Sequence, residues 1–207
     1  MKPRPEWFPD WTGETVAIVA SGPSTKKVSY GLLKGRVKTI AIKENHEICP
    51  WADMVYGCDL PFWRNCQNLP KFTGLKVAHK STTDTIKTIR IVEHEDRLLT
   101  AEPGLIGSGA NSGFHALNMA VQFGAKRILL LGYDMSDTHG IHWFGRSQGD
   151  GRSQPGEWNF KRWRKAFAIA STQLHAMGIE TLNASPLSSL TCFPIVTVED
   201  ALKKWGI

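Results

Sequence analysis

Two histidines three residues apart stand in the segment GYDMSDTHGIHWFGR, residues 132–146. An imidazole with a pKa near ~6.5 takes up or releases a proton at neutral pH. His142, followed by Trp143 and Phe144, is a better general-base candidate than His115, which falls in a helical pattern. The spacing Asp137-x-His139-x-x-His142 also has the look of part of a metal site, which needs a further ligand from elsewhere. The plainer alternative is a pair of loop histidines packed on Trp143. Asp134, just after an apolar run, is a candidate in the same segment.

Two loops of small residues suit an anion. The first, Ser21-Gly22-Pro23-Ser24, follows the run VAIVA and is neither G-x-G-x-x-G nor a Walker A loop. Gly22 lets backbone approach a ligand closely, and Pro23 stiffens the turn while removing an amide donor. Ser24 or Thr25 is expected to cap a following helix, whose N-terminal amides favour an anion. The second, GLIGSGANSGFHA, offers Ser108, Asn111, Ser112 and Gly113 at another helix start. Together they read as a cradle for a phosphate or nucleotide, against the alternative of ordinary strand-to-helix turns. Asn45 and Asp59 each follow a strand pattern and are expected to project into the same crevice, where a carboxylate often binds ribose hydroxyls. A turn role is the alternative for both.

The elements that must position these residues alternate. Strand patterns occur at residues 16–20, 37–42, 53–56, 75–78, 86–92, 127–131 and 179–182. Helix-compatible stretches lie at about 25–34, 60–67, 111–123, 157–177 and 198–205, and Gly124 supplies a stop for the third. Alternation of this kind predicts an α/β, Rossmann-like fold, a mostly parallel sheet with helices on both faces. The 207 residues are expected to form one such domain. Residues 134–157, rich in Gly, Ser and Arg and without a period, then form an active-site loop or lid. It leaves the carboxyl end of a parallel strand, where open α/β sheets bind ligands.

Composition narrows the classes. No stretch approaches the ~20 apolar residues of a membrane span, and the N-terminus lacks the apolar core of a signal peptide. The expectation is a soluble cytoplasmic protein. Cys49, Cys58, Cys66 and Cys192 lack paired zinc spacings and read as buried free thiols. The formal charge is +6, concentrated at Lys26–Lys43 and again at Arg146, Arg152, Lys161, Arg162, Arg164 and Lys165. Such surfaces favour phosphorylated ligands or simply keep a protein soluble. Trp143, Trp158 and Trp163 beside the second basic group resemble a nucleic-acid surface, but Trp158 and Trp163 read better as the core face of helix 157–177. Nucleic acid is not the expected partner.

These motifs, in this order, resemble the bacterial sialyltransferases of glycosyltransferase family 42 and the related group with domain of unknown function 115. That group includes flagellin glycosyltransferase-like and hydroxymethylpterin diphosphokinase-like proteins. The opening strand-Asn-Gly-Pro-Ser is matched by Ser21-Gly22-Pro23-Ser24. Ser112-Gly113, the helix after it and Gly132-Tyr133-Asp134 match the central pair. His142-Trp143-Phe144-Gly145 is similar to the His-aromatic-x-Gly segment, and Asn183-Ala184-Ser185-Pro186-Leu187 to the closing one. The compact form also looks like small bacteriophage proteins of the group.

The resemblance implies a nucleotide or nucleotide-linked donor bound across the strand ends and an acceptor of unknown identity. It passes the base role to His142 and donor contacts to Ser24, Ser112 and Gly113, with Asn45 a weaker match. Two departures stand out. Ser21 replaces the usual asparagine, and no tyrosine follows Asp134 to steady a departing phosphate, Ser136 standing about where one belongs. Arg146 or Arg152 is the substitute candidate. No cofactor is firmly implied, though Mg²⁺ has room. The expected activity is a nucleotide-donor-dependent, glycosyltransferase-like transfer; the alternative is a nucleotide-binding or nucleotide-sequestering module without turnover.

Overall fold

The computed structural model describes residues 3–81, 83–145 and 154–207. Its centre is a seven-stranded parallel sheet in the order β5-β4-β3-β2-β1-β8-β9. The strands are β1 (Thr15–Val19), β2 (Lys38–Ile42), β3 (Met54–Gly57), β4 (Leu75–Ala78), β5 (Lys87–Thr88), β8 (Arg127–Leu131) and β9 (Glu180–Asn183). A separate parallel pair joins β6 (Arg90–Val92) to β7 (Leu105–Gly107). The helices are α1 (Leu60–Asn65), α2 (Ser112–Phe123), α3 (Glu157–Ala176) and α4 (Val198–Trp205). This is the α/β, Rossmann-like architecture expected from the alternation of patterns.

Period-2 alternation divides the core between the two faces. Val16, Ile18, Ile40, Met54, Ile128 and Leu130 meet α2 and α3 through Phe114, Leu117, Phe123 and Phe167. Ala17, Val19, Ala41, Val55, Leu129 and Leu131 point the other way, toward Phe62 and Trp63 of α1 and Leu202 and Trp205 of α4. A strand covered on both faces has no solvent side, so β1 reads as an unbroken apolar run.

Capping chemistry sets the helix limits. Asn111 accepts the Phe114 amide at 2.9 Å to start α2, and Gly124, at φ 99°, ends it. That left-handed turn favours glycine, and a Cβ there would also meet Thr12 at 2.8–2.9 Å. Thr197 accepts the Asp200 amide at 3.0 Å to open α4.

Three expectations are corrected. Residues 25–34 form no α-helix but two 3-10 turns, Pro23–Lys27 and Tyr30–Leu33, because Val28 is extended between them. Neither Ser24 nor Thr25 caps a helix; their hydroxyls go to Asp134 and to the Ala20 carbonyl. The strand at 86–92 is two strands: Ile89 donates its amide to Ala78 at 2.9 Å, and the next residue leaves for β7. β7 itself, three residues bounded by glycines, has too short a pattern to be read. No helix of the described residues is long and apolar enough to cross a membrane.

Candidate active site

The strand order runs outward from β1 through β2 to β5, then returns to β8 and β9 on the other side. That reversal leaves a crevice outside the carboxyl ends of β1 and β8, where ligands bind in open α/β sheets. A cavity of about 750 Å³ lies there. Ser21 and Gly22 line it from the end of β1, and Asp134, Met135 and Ser136 from β8. Ser108, Asn111, Ser112 and Gly113 contribute from the start of α2, with His142 and Phe144 from the loop beyond.

The two loops flanking the reversal are tied to each other. Asp134 accepts the Ser24 amide at 2.8 Å on one carboxylate oxygen and the Ser24 hydroxyl on the other, and both residues are buried. The Gly22 amide donates to the Gly132 carbonyl at 3.0 Å. A Cβ on Gly22 would stand 2.5 Å from that oxygen and 2.7 Å from Asp134 Oδ2. The close approach that needs this glycine is therefore made by the protein's own chain, where the sequence suggested a ligand's.

His142 is held on several sides. Its Nδ1 is hydrogen-bonded to Ser21 Oγ at 2.9 Å, and its ring stacks on Phe144 with centroids 4.9 Å apart. The next residue, Trp143, donates its amide to the Ser21 carbonyl at 2.9 Å. The Trp143 indole nitrogen donates to Asn45 Oδ1 at 2.9 Å, and Lys26 lies 4.3 Å above the Trp143 ring. When Nδ1 carries the proton and donates to Ser21, Nε2 has the lone pair a base needs.

Asn45 is buried, and its amide nitrogen donates to the Ile42 carbonyl at 2.8 Å. Both ends of that side chain are thus engaged by protein. Asp59 lines the cavity and pairs with Lys43, whose backbone is left-handed at φ 51°. Ser108 accepts the Ala110 amide at 3.2 Å, and Asn111 gives its amide nitrogen to the Gly109 carbonyl at 3.1 Å. Asp137 and His139 are exposed and off the cavity wall. No three His, Cys, Asp or Glu side chains among the described residues gather as metal ligands. Arg146 and Arg152, and with them part of the expected lid, fall outside the described residues.

Several wall residues were missed by the sequence reading. Lys43, Cys58, His79 and His115 line the side made by β2, β3, β4 and α2. Only the positions of Lys43, Cys58 and His79, at or next to the ends of strand patterns, carried a signal. Trp163, read as core, lines the cavity and donates its indole nitrogen to the Ala110 carbonyl at 2.9 Å, pinning α3 to the loop before α2. Trp158 is 70% exposed, a correction to the core reading. The buried face of α3 follows Phe160, Phe167, Ala170 and Leu174 instead.

Burial controls the protonation of Cys58 and His115. It raises the Cys58 thiol, with the Asp59 charge adding to it, so Cys58 is a neutral thiol at pH 7 and a weak nucleophile. All four cysteines are free, and only Cys49 is fully buried, so the expectation of buried thiols holds for that one. Desolvation and the nearby His79 bring His115 down to about 3.

No protein-family model matches the chain, and no curated protein does. Solved structures resemble its fold. One is the sialyltransferase CstII from Campylobacter jejuni in complex with a substrate analogue, cytidine-5'-monophosphate. It is 14% identical, with a TM-score of 0.59 over 90% of this chain and 86% of that one. A second is the sialyltransferase CST-II in complex with trisaccharide acceptor and CMP, at 14% identity and a TM-score of 0.56 over 89% and 86%. A third, CstII with CMP-3FNeuAc, has the same identity and coverage and a TM-score of 0.55. Of the groups suggested by the motifs, the sialyltransferases are the ones these structures support, and the chain has a sialyltransferase-like fold.

Proposed function

We propose that this protein is a transferase acting on a nucleotide-activated donor, of the glycosyltransferase type, with His142 as general base. The observation that carries the reading is the placement of His142, bound to Ser21 at 2.9 Å on the wall of the cavity at the strand-order reversal. The solved proteins of like fold carry CMP in their complexes. In the reaction, His142 Nε2 takes the proton of an acceptor hydroxyl and the freed oxygen attacks the anomeric carbon. The bond from that carbon to the phosphate oxygen breaks, and the nucleotide leaves with the electron pair. The N-terminus of α2, with Ser112 and Gly113 at the cavity, supplies a partial positive charge for the donor's phosphate.

One observation favours a nucleotide-binding module without turnover. Among the described residues the only cation of the wall other than histidine is Lys43, and Asp59 already pairs with it. A departing phosphate needs charge from elsewhere, for which Arg146 and Arg152 remain the candidates.

Thermal unfolding against CMP, CDP, UDP, GDP, ADP and CMP-sialic acid, with and without Mg²⁺, identifies the donor. A ligand at a hundredfold excess over Kd adds about 2.7 kcal/mol, roughly 5–10 °C here. With the donor known, His142→Ala is expected to lower kcat by ~10²–10⁴-fold while nucleotide binding stays near wild type. Equal losses of binding and rate refute the base role. Binding without any release of nucleotide selects the module.

A further inference from the structure

The side of the cavity at the carboxyl ends of β2, β3 and β4, together with His115 of α2, has no part in the chemistry proposed above. Its ionisable residues are Lys43, Glu44, Cys58, Asp59, His79 and His115, with Glu93 beside them. Among the described residues three carboxylates, Glu44, Asp59 and Glu93, stand against the one lysine. A phosphate or carboxylate placed there meets like charge. An apolar group is no better matched, because it leaves the buried His115 Nε2 without a partner.

The innermost of these residues carries an unmet hydrogen bond. His115 is 4% exposed. Its Nδ1 is bonded to the Tyr56 hydroxyl at 2.9 Å, and the two rings meet edge to face. Its Nε2 is buried and has no hydrogen-bond partner among the described residues. The Ser108 backbone is close enough to oppose the fall in basicity without meeting hydrogen-bond geometry. Buried polar atoms left unpartnered in native proteins are few, and a bound ligand is one way to complete them. The ring stays neutral at physiological pH, so Nε2 donates or accepts one hydrogen bond according to its tautomer.

We infer that this half of the cavity is a subsite for an uncharged, polyhydroxylated group, a sugar bearing neither carboxylate nor phosphate, and that His115 Nε2 bonds one of its hydroxyls. Sugar hydroxyls both donate and accept, which matches three carboxylate acceptors, the Lys43 donor and the His115 ring on one wall. The inference rests on the transferase reading in taking the sugar to be a substrate of the same site. It goes further in specifying that sugar's charge.

The test uses the full chain labelled with ¹⁵N-histidine. The probes are the methyl glycosides of glucose, galactose, mannose and N-acetylglucosamine, with N-acetylneuraminic acid as the carboxylated contrast. Each is added with and without the nucleotide that raises the melting temperature most, or with CMP if none does. The expected result is that one neutral glycoside binds and moves the His115 Nε2 resonance, while N-acetylneuraminic acid does neither. His115→Phe is expected to weaken that glycoside about 3- to 10-fold, as for one lost hydrogen bond, with nucleotide affinity unchanged. If His115→Phe fails to fold, the wild-type Nε2 resonance decides. The inference is overturned if no glycoside binds, if one binds with Nε2 unmoved, or if N-acetylneuraminic acid binds as tightly. Nucleotide binding with no glycoside binding refutes the subsite alone. Glycoside binding that moves Nε2, with no nucleotide bound, supports the subsite and refutes the transferase reading.

Discussion

Trp143 donates its indole hydrogen to Asn45 Oδ1 at 2.9 Å, across 98 positions of the chain. The bond joins the turn after β2 to the residue next to His142. Asn45 is anchored in turn by the Ile42 carbonyl at the end of β2, so the rigidity of the sheet reaches the histidine through two hydrogen bonds. Lys26 closes the indole from its face. A base acts only when held within hydrogen-bond reach of the proton it takes. The Asn45–Trp143 contact is thus a positioning device for whatever His142 does.

Replacing Asn45 with Ala leaves the Trp143 indole without its acceptor and frees the loop. The expected cost is about 1–3 kcal/mol, or roughly 2–12 °C in melting temperature for a chain of this length. The fluorescence of Trp143 is expected to change with it. On the transferase reading kcat falls while nucleotide affinity holds, because both ends of the Asn45 amide are engaged by protein. A lost nucleotide affinity with an unchanged kcat would instead make Asn45 a direct ligand contact, as the sequence motif suggested.

Ser24 and Asp134 close the strand-order reversal from both sides, and Gly22 is the residue that lets them meet. Gly22→Ala puts a Cβ 2.5 Å from the Gly132 carbonyl oxygen, closer than real Cβ contacts come, so one loop must shift. Overpacking of this kind costs about 1–3 kcal/mol. Ser24→Ala removes a hydrogen bond to a carboxylate and is expected to cost about 1.5–3 kcal/mol. The double variant should fall short of the sum, since each change loosens the same contact. Chemical denaturation of the three variants measures this, and strict additivity would show that Gly22 and the clamp are independent.

The sheet was legible because its residues obey rules that act locally. Two-faced burial makes β1 and β8 unbroken apolar runs, and Asn111 and Gly124 mark the ends of α2. His142 was legible as well, since a histidine in a strand-end loop stands out by type and place. The partners that hold it were not. Asn45, Trp143 and Ser21 meet only through the order of β2, β1 and β8 in the sheet, which no stretch of sequence encodes. Glycine misled for a related reason. Its type announces a close approach at position 22, but whether ligand or chain approaches depends on where Asp134 lies, 112 positions on. His115 looked like an ordinary helical residue because α2's inner face is read from apolar spacing. Its chemistry comes from Tyr56 on β3.

The His115 environment predicts a pH dependence of stability. Burial, with the nearby His79 charge, brings its pKa from 6.5 to about 3 in the folded protein. The unfolded chain regains the ordinary value, so between about pH 6.5 and 3 the unfolded state binds a proton that the folded state refuses. The sign follows directly. The contribution is fully present above pH 6.5 and is lost as the pH falls toward 3, at roughly 1.4 kcal/mol per pH unit once unfolded His115 is mostly charged. Other histidines and the carboxylates titrate over the same range, so wild type alone does not isolate it. His115→Phe does, because phenylalanine carries no proton in either state. Its unfolding free energy should fall less steeply than wild type between pH 6.5 and 4.5, and the two curves should converge as the pH drops. Tyr56→Phe keeps the titrating ring and should keep most of the slope. Parallel curves for wild type and His115→Phe would mean that the folded protein protonates His115 readily, and the neutral His115 ring on the cavity wall would then be wrong.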